Sequence, residues 1–277
     1  MVVKNDDLYC NCIVNIVICY ANEDEVIQYA KQLEKQNVSG NVTLAVVINK
    51  ENRGIEYLKS GLNSVHIQYE ILCPDENLGY LNGLIYGFAK CSIKAKWYIL
   101  SNTDIQIPDN RFLETFISKY SNDSQKWVVG PNVYAPIKKA YSNPYLIERP
   151  SRYYYLSKNI GMTFPVFYEY LFKLKSKFRK SEGLVLNSST SVYAVHGSYM
   201  FIRDELLRIV SKREKWELLY DEEQYIAEIV SNHEKKVYYD EYLLVQHMEG
   251  TSTGKVNVSN RYKMMKKSNK RILKEFY

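Results

Sequence analysis

Continuous apolar runs in the first hundred residues constrain the fold of this chain more than any other feature. The runs are IVNIVICY (13–20), VTLAVVIN (42–49), VHIQYEIL (65–72) and KWYIL (96–100). Such runs are typical of strands that are buried on both faces of a parallel sheet. A helical pattern over residues 23–36 follows the first run. Strands that alternate with helices predict an α/β fold, with a Rossmann-like, mostly parallel central sheet flanked by helices.

A second predicted helix, LGYLNGLIYGFAK (78–90), carries a glycine at every fourth position. Each glycine inside a helix costs about 1 kcal/mol relative to alanine, so these positions need a physical reason. For Gly83 and Gly87, close packing of the helix on the sheet is the expected reason. Gly79 stands at the helix start, after PDEN, where we expect backbone N–H groups to face a ligand.

The regular alternation of strands and helices stops near Gly130-Pro131. From residue 132 to about residue 190 the chain is rich in Tyr, Pro, Lys and Arg. The pattern resumes with SVYAVHGSYMFIRDELLRIV, which predicts a strand and then a helix from about Asp204. A helix at LYDEEQYIAEIVSNHEKK and a short final strand at YLLVQH precede a basic tail.

Length and cysteine usage limit the class of protein. A chain of 277 residues with 46% hydrophobic content suits one large domain with an ample core. The five cysteines are odd in number and include no CxxC pair, which favours free thiols in a reducing compartment over a metal site at Cys10-x-Cys12. No apolar run approaches the ~20 residues of a spanning helix, and no signal-peptide cleavage site is recognisable. We therefore expect a cytoplasmic protein.

The stretch YILSNTDIQIPD (98–109) places a charged residue, Asp104, directly after a buried strand. The carboxyl ends of parallel strands are where open α/β sheets bind ligands. A carboxylate there can hold a divalent metal, which in turn neutralises phosphates. A local Asx-turn with Asn102 is an equally good explanation of this motif by itself.

The order of the motifs decides between these explanations. After the first strands come PDENLGYLNG, SNTDI, GPNVY, VHGSYMFIRDELL, YDEEQYIAEI and VQHMEGTST. This order resembles family 2 of the inverting nucleotide-sugar glycosyltransferases, which have the GT-A fold. More narrowly, it is similar to the bacterial branch that builds capsule and O-antigen polysaccharides with rhamnosyl or galactosyl donors. The resemblance extends over roughly residues 12 to 255.

The resemblance implies a site for a UDP- or dTDP-linked sugar with Mg²⁺ or Mn²⁺. SNTD occupies the place of the family's DxD-type motif, so Asp104 is the expected ligand of metal and diphosphate. Asn102 stands where many relatives carry the first Asp. Asn77 and Gly79 match an N-x-G turn against the nucleotide, and His247 matches a histidine that completes the metal shell in some relatives.

Three further matches to the family concern the nucleobase, the ribose and the donor sugar. Tyr20 to Asn22 match the loop that borders the nucleobase, although relatives usually have Asn where Ala21 stands. Asn49 remains from a family Asp-Asn pair whose lost Asp, replaced by Ile48, would hold the base or ribose. Gly197 matches a small residue that leaves room for the donor sugar, and the neighbouring His196 is a further candidate for contact with donor or acceptor.

Inverting transfer also needs a base that takes the proton of the acceptor hydroxyl. In YDEEQYIAEIV, Glu222 and Glu223 lie on the side of the predicted helix that carries its apolar face. A plain preference for acids at a helix start, with Asp221 as the cap, is the alternative. The pair aligns with the family's Glu-Asp, whose second member is the base. We therefore predict Glu223 as the base, with Glu222 positioning the acceptor.

Two basic segments remain to be explained. LFKLKSKFRK (171–180) mixes five cations with Leu and Phe, and residues 255–277 hold eight Lys or Arg against one acid, Glu275. The net charge of the whole chain is only +6. Basic amphipathic helices are typical of membrane-surface segments, although a helix docked on the body has the same pattern. No nucleic-acid reader motif is recognisable, so we expect no nucleic-acid partner.

The resemblance implies the remaining assignments. We expect a glycosyltransferase domain over 1–254, with a nucleotide-sugar half to about residue 130 and an acceptor half from about 131, followed by a tail over 255–277. The implied acceptor is a glycan, as in relatives that use lipid-linked oligosaccharides at the inner leaflet, so the protein would be cytoplasmic and peripheral. A non-catalytic nucleotide- or glycan-binding module of the same fold is the alternative. A dehydrogenase is disfavoured, since CYANEDE replaces GxGxxG after the first strand.

Overall fold

A single mixed sheet forms the centre of the computed structural model, which describes residues 12–164, 169–170, 188–249 and 257–277. Its strands are β1 (Ile13–Tyr20), β2 (Val42–Lys50), β3 (Gln68–Leu72), β4 (Trp97–Ser101), β5 (Ile105–Gln106), β6 (Lys126–Ala135), β7 (Ala140–Tyr141), β8 (Thr190–Val192), β9 (Tyr199–Arg203) and β10 (Lys236–His247). The helices of the described residues are α1 (Glu23–Glu34), α2 (Ile55–Leu62), α3 (Tyr80–Lys90), α4 (Phe112–Tyr120), α5 (Arg152–Gly161), α6 (Asp204–Val210), α7 (Glu222–Asn232) and α8 (Val258–Phe276).

The strand order is β3-β2-β1-β4-β9-β6-β10-β5, with β7 beside β6 and β8 beside β10. The first four of these strands are parallel to one another. β9 then pairs antiparallel with both β4 and β6, whereas β6 and β10 are parallel. The predicted α/β class is therefore confirmed, and the sheet is parallel in its first half and mixed in its second.

Alternate side chains of the strands supply two apolar clusters, one on each face of the sheet. In β1, Ile13 and Val17 belong to the cluster that also contains side chains of α1, α2 and α4. Val14 and Ile16 belong to the cluster formed with α3, α6 and α7. Burial on both faces is the reason that the strand sequences are continuously apolar.

The predicted close packing of the glycine helix is confirmed. A Cβ atom at Gly83 would lie 2.7 Å from Cδ1 of Ile18, and one at Gly87 would lie 2.5 Å from Cγ2 of Ile16. Both distances are too short for a side chain, so α3 lies directly on β1. The helix begins at Tyr80 rather than at residue 78, because Gly79 has φ +76° and closes the preceding turn.

Several elements were not predicted correctly. The helices α2, α4 and α5 were missed, and β6 passes straight through Gly130-Pro131, where the prediction placed the end of regular structure. Proline is tolerated there because the register of β10 shifts between Asp240, the partner of Pro131, and Leu244. The segments that contain Cys10 and the basic run 171–180 lie outside the described residues.

The basic tail is a helix that packs on the body. Tyr262 and Ile272 are buried in α8, and Leu273 and Phe276 pack against the cluster on the α3 side of the sheet. In the membrane-surface interpretation of the tail, these apolar residues would contact lipid. In the structure they pack on the body instead, as the alternative interpretation predicted. In the described part of the chain, no helix is both long enough and apolar enough to cross a bilayer.

Candidate functional site

A cleft of about 550 Å³ opens at the carboxyl ends of the parallel strands. The ends of β1, β2 and β4 and the start of α3 form its walls, because parallel strands bring their carboxyl ends to the same edge of the sheet. Its lining residues are Ile18, Tyr20, Asn22, Glu25, Asn49, Lys50, Asn77, Gly79, Tyr80, Ser101, Asn102, Thr103, Asp104, Leu218, Leu219 and Met264.

The structure brings most of the residues predicted for nucleotide-sugar binding together in this cleft. Tyr20, Asn22, Asn49, Asn77, Gly79, Asn102 and Asp104 all line it. Gly197 and His247 contact residues of its wall, and Glu223, which follows Glu222, contacts Gly197. Sequence reasoning found the strand ends because apolar runs mark them. Whether these residues bind a ligand stays a prediction.

The asparagine side chains build the wall of the cleft through internal hydrogen bonds. Asn22 donates from Nδ2 to Glu25 Oε2 at 2.8 Å and to Thr103 Oγ1 at 2.7 Å, so both amide hydrogens are used. Asn49 donates to the carbonyl of Gly79 at 2.8 Å. Asn77 accepts from the N–H of Gly79 at 2.9 Å. These amides hold the loops in place, and their predicted contact with the nucleotide stays a prediction.

The start of α3 is also less open than predicted. The N–H of Gly79 is bonded to Asn77, and the N–H of Tyr80 donates to the carbonyl of Leu218 at 2.9 Å. A Cβ atom at Gly79 would lie 2.3 Å from that same carbonyl oxygen. Gly79 is therefore required by its positive φ and by the close approach of the chain at Leu218. These first N–H groups of the helix do not face the cleft.

Asp104 and His247 meet at one end of the cleft. Asp104 Oδ1 lies 3.3 Å from Nε2 of His247, and Asn102 Nδ2 lies 3.3 Å from the same nitrogen. Among the described residues, no cluster of three or more His, Cys, Asp or Glu side chains is placed to hold a metal. A carboxylate and an imidazole fit an ion such as Mn²⁺ that takes its other ligands from a diphosphate and water. The pair would supply two of the ligands of such an ion.

The charges of the cleft agree with this fit. Within the described lining, Lys50 is basic, whereas Glu25 and Asp104 are acidic. A diphosphate would be repelled by this balance, because like charges that share a site of low dielectric disfavour each other. A divalent cation held by Asp104 would reverse the local sign. The charge distribution therefore favours a ligand that arrives together with a metal ion.

The lining of the cleft includes an exposed aromatic ring, that of Tyr20. Tyr20 is 42% exposed, and Lys50 Nζ lies 5.4 Å from the centroid of its ring. Tyr20 is the last residue of β1, and Ala21 turns the chain after it in the left-handed region at φ +59°. An exposed ring beside a cation at the mouth of a cleft suits stacking of a planar heterocycle.

The backbone at Ala21 gives a stability prediction. Alanine is strained in the left-handed region by about 1–2 kcal/mol, whereas asparagine tolerates it well. We expect Ala21→Asn to raise the free energy of unfolding by about 0.5–1 kcal/mol, measured by denaturant titration. Ala21→Val is the matched control, because a β-branched side chain at positive φ should lower stability. A lower stability of Ala21→Asn than of the parent protein would contradict the assignment of strain.

Part of the cleft wall comes from the last third of the chain and was not predicted. Leu218 and Leu219 precede α7, and Met264 lies on α8. Ser268 of α8 donates to the carbonyl of Leu219 at 3.3 Å, and Arg271 donates to the carbonyls of Glu214 and Lys215. The loop over 214–221 is thus clamped between α8 and the start of α3. No local sequence signal marks it, since the contacts join segments far apart in the chain.

We expect α8 to be required for the stability of the body. Ile272 is fully buried in the cluster that includes α3 and α7. Ile272→Ala should lower the free energy of unfolding by about 2–4 kcal/mol, the usual cost of such a cavity. The neighbouring Lys274→Ala, at an exposed position, should change it by less than about 0.5 kcal/mol. Equal thermal unfolding of the two variants would contradict docking of α8 on the body.

The predicted base lies at the start of α7, next to Gly197. Glu223 Oε1 accepts from the N–H of Gly197 at 3.0 Å, and a Cβ atom at Gly197 would lie 2.7 Å from this oxygen. The missing side chain therefore makes room for the Glu223 carboxylate, where the prediction assigned the space to a donor sugar. Tyr80, which lines the cleft, donates to the carbonyl of Gly197 at 2.8 Å. Gly197 thus links Tyr80 of the cleft wall to Glu223.

Burial and mutual repulsion shift the acidity of the two glutamates. Desolvation and the charge of Glu223 raise the pKa of Glu222 well above its usual range. Desolvation also raises the pKa of Glu223, but its backbone hydrogen bond from Gly197 opposes that rise. Oε2 of Glu222 is buried and has no hydrogen-bond partner. The pair therefore holds its proton preferentially on Glu222, and Glu223 is the member that ionises first.

Asp221 and His196 complete the surroundings of the pair. Asp221 stands before α7 at φ +59° and makes no capping bond, because its carboxylate pairs with Lys158 at 2.8 Å. His196 lies between the rings of Tyr145 and His247, with centroid distances of 6.0 and 5.9 Å. Burial, followed by the neighbouring His247, lowers the pKa of His196 to about 4, so this ring is neutral at neutral pH.

Comparisons with known proteins give one clear result. No protein-family model and no curated protein sequence matches this chain. Among solved structures, the mannosyltransferase PcManGT from Pyrobaculum calidifontis, in complex with GDP-Man and Mn²⁺, is similar with a TM-score of 0.55 at 10% identity. That alignment covers 87% of this chain and 58% of the mannosyltransferase, so this chain spans less than two thirds of it.

Two other glycosyltransferase structures agree. Residues 1–349 of TarS from S. aureus, in complex with UDP-GlcNAc, give a TM-score of 0.56 at 12% identity, covering 96% of this chain and 71% of that one. GalNAc-T7 with UDP, GalNAc and Mn²⁺ gives 0.58 at 12% identity, covering 88% and 45%. At such identities the likeness establishes architecture alone. The protein has the α/β fold of the GT-A glycosyltransferases, and its chain ends in a helix, α8.

Proposed function

We propose that the protein is a metal-dependent glycosyltransferase that moves a sugar from a nucleotide diphosphate to an acceptor hydroxyl with inversion. One observation carries the proposal. Tyr80 lines the cleft that contains Asp104 and donates to the carbonyl of Gly197, whose N–H donates to Glu223. The proposed diphosphate site and the proposed base are thus linked through Tyr80 and Gly197, and a single displacement at the anomeric carbon requires such proximity.

Two features of the cleft support a placement of the donor. The nucleobase would stack on Tyr20, with the diphosphate directed to Asp104 and His247. The complexes of the similar structures with GDP-Man, UDP-GlcNAc or UDP support a nucleotide sugar as the ligand class. We propose a UDP- or dTDP-linked hexose or deoxyhexose, on the strength of the resemblance to the polysaccharide-building branch.

Asp104 and His247 would hold Mg²⁺ or Mn²⁺, and when bound the ion supplies charge neutralisation for the departing diphosphate. Two of the similar structures contain Mn²⁺. Asn102 Nδ2 lies 3.3 Å from the Nε2 of His247, so a bound ion would replace this hydrogen bond.

Glu223 would take the proton of the acceptor hydroxyl. Burial raises the pKa of Glu223 toward neutral pH, which makes its carboxylate a stronger base than that of an exposed glutamate. Glu222, which retains its proton, can donate a hydrogen bond to an acceptor oxygen and so position it. We propose a glycan acceptor, carried on a lipid in the assembly of a bacterial surface polysaccharide.

The proposal is tested by thermal-shift measurements with a panel of nucleotide sugars, with and without Mn²⁺. We expect at least one UDP- or dTDP-sugar to raise the unfolding temperature, and Mn²⁺ to increase that effect. The stabilising sugar is then assayed for turnover to free nucleotide diphosphate with glycan acceptors. Stabilisation without turnover would instead favour the non-catalytic binding module, and no stabilisation by any nucleotide sugar would refute both.

Tyr80 is predicted to position the base. Tyr80→Phe removes the hydroxyl that holds Gly197, whose N–H opposes the rise in the Glu223 pKa. We expect kcat to fall about tenfold at unchanged donor Kd, and the acid limb of the pH profile to move to higher pH. Tyr86→Phe on the same helix, whose hydroxyl donates to Cys73, is the matched control. An unchanged pH profile for Tyr80→Phe would contradict the positioning role.

A further inference from the structure

We infer that the outer face of α5 and the exposed face of α8 form one surface that docks the protein on an anionic bilayer. The inference deepens the proposed function, on which its account of a lipid-carried acceptor rests. It does not use the apolar face of α8, which packs on the body. The apolar part of the surface comes from a different helix.

The apolar stripe consists of Tyr153, Leu156, Ile160 and Phe164. Their exposed fractions are 81%, 40%, 70% and 66%. The spacing of three, four and four residues puts these side chains on one side of α5 and of the turn that follows it. The opposite side is occupied as expected, since Tyr155 and Met162 are buried. The helix therefore has one core face and, within the described residues, a second apolar face in contact with solvent.

A cationic face lies on α8. Lys263, Lys267, Lys270 and Lys274 are all exposed, and their spacing of four, three and four residues aligns them along the helix. The buried side of α8 carries Tyr262, Ser268, Asn269 and Ile272 instead. The charge of the C-terminal segment is thus concentrated on the side that faces solvent.

The stripe and the cationic face are neighbours. Lys266 of α8 donates to Thr163 Oγ1 at 2.7 Å, and Thr163 adjoins Phe164. Asn269 of α8 donates to the carbonyl of Tyr155 at 2.9 Å, which fixes the two helices against each other. Lys266 is one turn or less from Lys263, Lys267 and Lys270 along α8. The lysines therefore border the stripe along the line where the helices meet.

This combination fits an anionic lipid surface as its partner. Apolar side chains can enter the boundary between headgroups and acyl chains, while lysines beside them contact lipid phosphates. Tyr and Phe, which begin and end the stripe, are side chains suited to that depth. A protein partner of the same chemistry would need an acidic, apolar surface of its own, whereas a bilayer offers both properties in a continuous plane.

The position of α5 gives the docking a consequence for the site. On its inner side, Tyr155 donates to Gln224 Oε1 at 2.5 Å, and Lys158 pairs with Asp221 at 2.8 Å. Gln224 and Asp221 flank Glu222 and Glu223 in the sequence. One helix thus lies between the proposed bilayer and the proposed base. An acceptor anchored in this bilayer would be separated from Glu223 only by α5.

The test is co-sedimentation with vesicles of phosphatidylcholine alone and of phosphatidylcholine with phosphatidylglycerol. We expect binding to the anionic vesicles, weakened by salt. Changing Lys263, Lys267 and Lys270 to Gln should lower binding about fivefold for each lysine, which corresponds to about 1 kcal/mol per cation near the surface. Changing Leu156, Ile160 and Phe164 to Ser should lower it at least tenfold. A control in which the exposed Lys35, Lys90 and Lys212 become Gln should bind like the parent protein.

The outcomes separate this inference from the proposed function. Each variant is also measured by thermal shift with the nucleotide sugar, where we expect no change, because none of the altered residues lines the cleft. If the protein binds vesicles but no nucleotide sugar changes its unfolding temperature, the membrane-docking surface is supported and the glycosyltransferase proposal is refuted. Equal binding by all variants, or binding lost as strongly in the control, would refute the surface. So would a concentration-dependent dimer that the serine variant abolishes, since a second copy would then cover the stripe.

Discussion

Asp104→Ala should abolish sugar transfer and the effect of Mn²⁺ on nucleotide binding. The carboxylate lies 3.3 Å from His247 Nε2, and the described lining of the cleft holds Lys50 as its basic residue. Without Asp104 the imidazole alone would have to hold the ion against water, so the diphosphate would lose its bridge to the protein. Charge stabilisation by a metal is worth several kcal/mol, so we expect a loss of at least about 10³-fold in kcat/KM.

Two measurements check this prediction. Calorimetry with UDP should show that Mn²⁺ strengthens binding to the parent protein but not to Asp104→Ala, and a transfer assay should show the loss of turnover. Glu25→Gln is the matched control, because Glu25 lines the same cleft but its carboxylate is bonded to Asn22 and Thr103. It should retain the response to Mn²⁺. Full turnover by Asp104→Ala would remove the metal site from the proposal.

The positions of the site residues could be predicted where a strand end marks them. Tyr20, Asn49 and Asp104 follow continuous apolar runs, and parallel strands necessarily bring such residues to one edge. Their hydrogen bonds could not be predicted from the same pattern. An asparagine at a strand end can bind a ligand or its own loop, and the local sequence is the same in both cases. In the structure Asn22, Asn49 and Asn77 each bond within the loops, and their contact with a ligand stays a prediction.

The second half of the fold was harder to predict for a different physical reason. Pro131 ends a strand under most conditions, and here a register shift in a strand more than a hundred residues away allows β6 to continue. The basic tail has the composition of a membrane-surface helix, yet Ile272 packs in the apolar cluster that contains side chains of α3 and α7. Both outcomes depend on contacts between distant segments. Periodicity reports only which face of an element is apolar and not what covers that face.

Glu223→Gln should stop transfer while leaving the donor bound. Glutamine keeps the length and the acceptor oxygen that the N–H of Gly197 requires, but it cannot accept a proton. The nucleotide would be held at Tyr20 and Asp104, outside the contacts of Glu223. We therefore expect donor Kd to stay within about threefold, and kcat to fall by about 10²–10⁴, the usual contribution of a general base.

The pH dependence of sugar transfer tests the role of Glu223 independently. A base must be ionised to act, so transfer should decline as pH falls through the pKa of Glu223. Burial raises that pKa, which places the acid limb above the value of about 4.3 for an exposed glutamate. The limb should disappear in Glu223→Gln, whose residual activity no longer depends on this proton. A limb retained in the variant would assign the titration to another group.

Glu222→Gln distinguishes the two carboxyls. Burial and the charge of Glu223 raise the pKa of Glu222 further than that of Glu223, so Glu222 is the poorer base of the two and its replacement should cost little turnover. We expect a raised KM for the acceptor and a kcat within about tenfold of the parent protein. If instead Glu222→Gln is inactive and Glu223→Gln turns over normally, the base is Glu222, and the hydrogen bond from Gly197 serves only to order the start of α7. Normal turnover by both variants would make the pair a helix-end charge without a role in the chemistry.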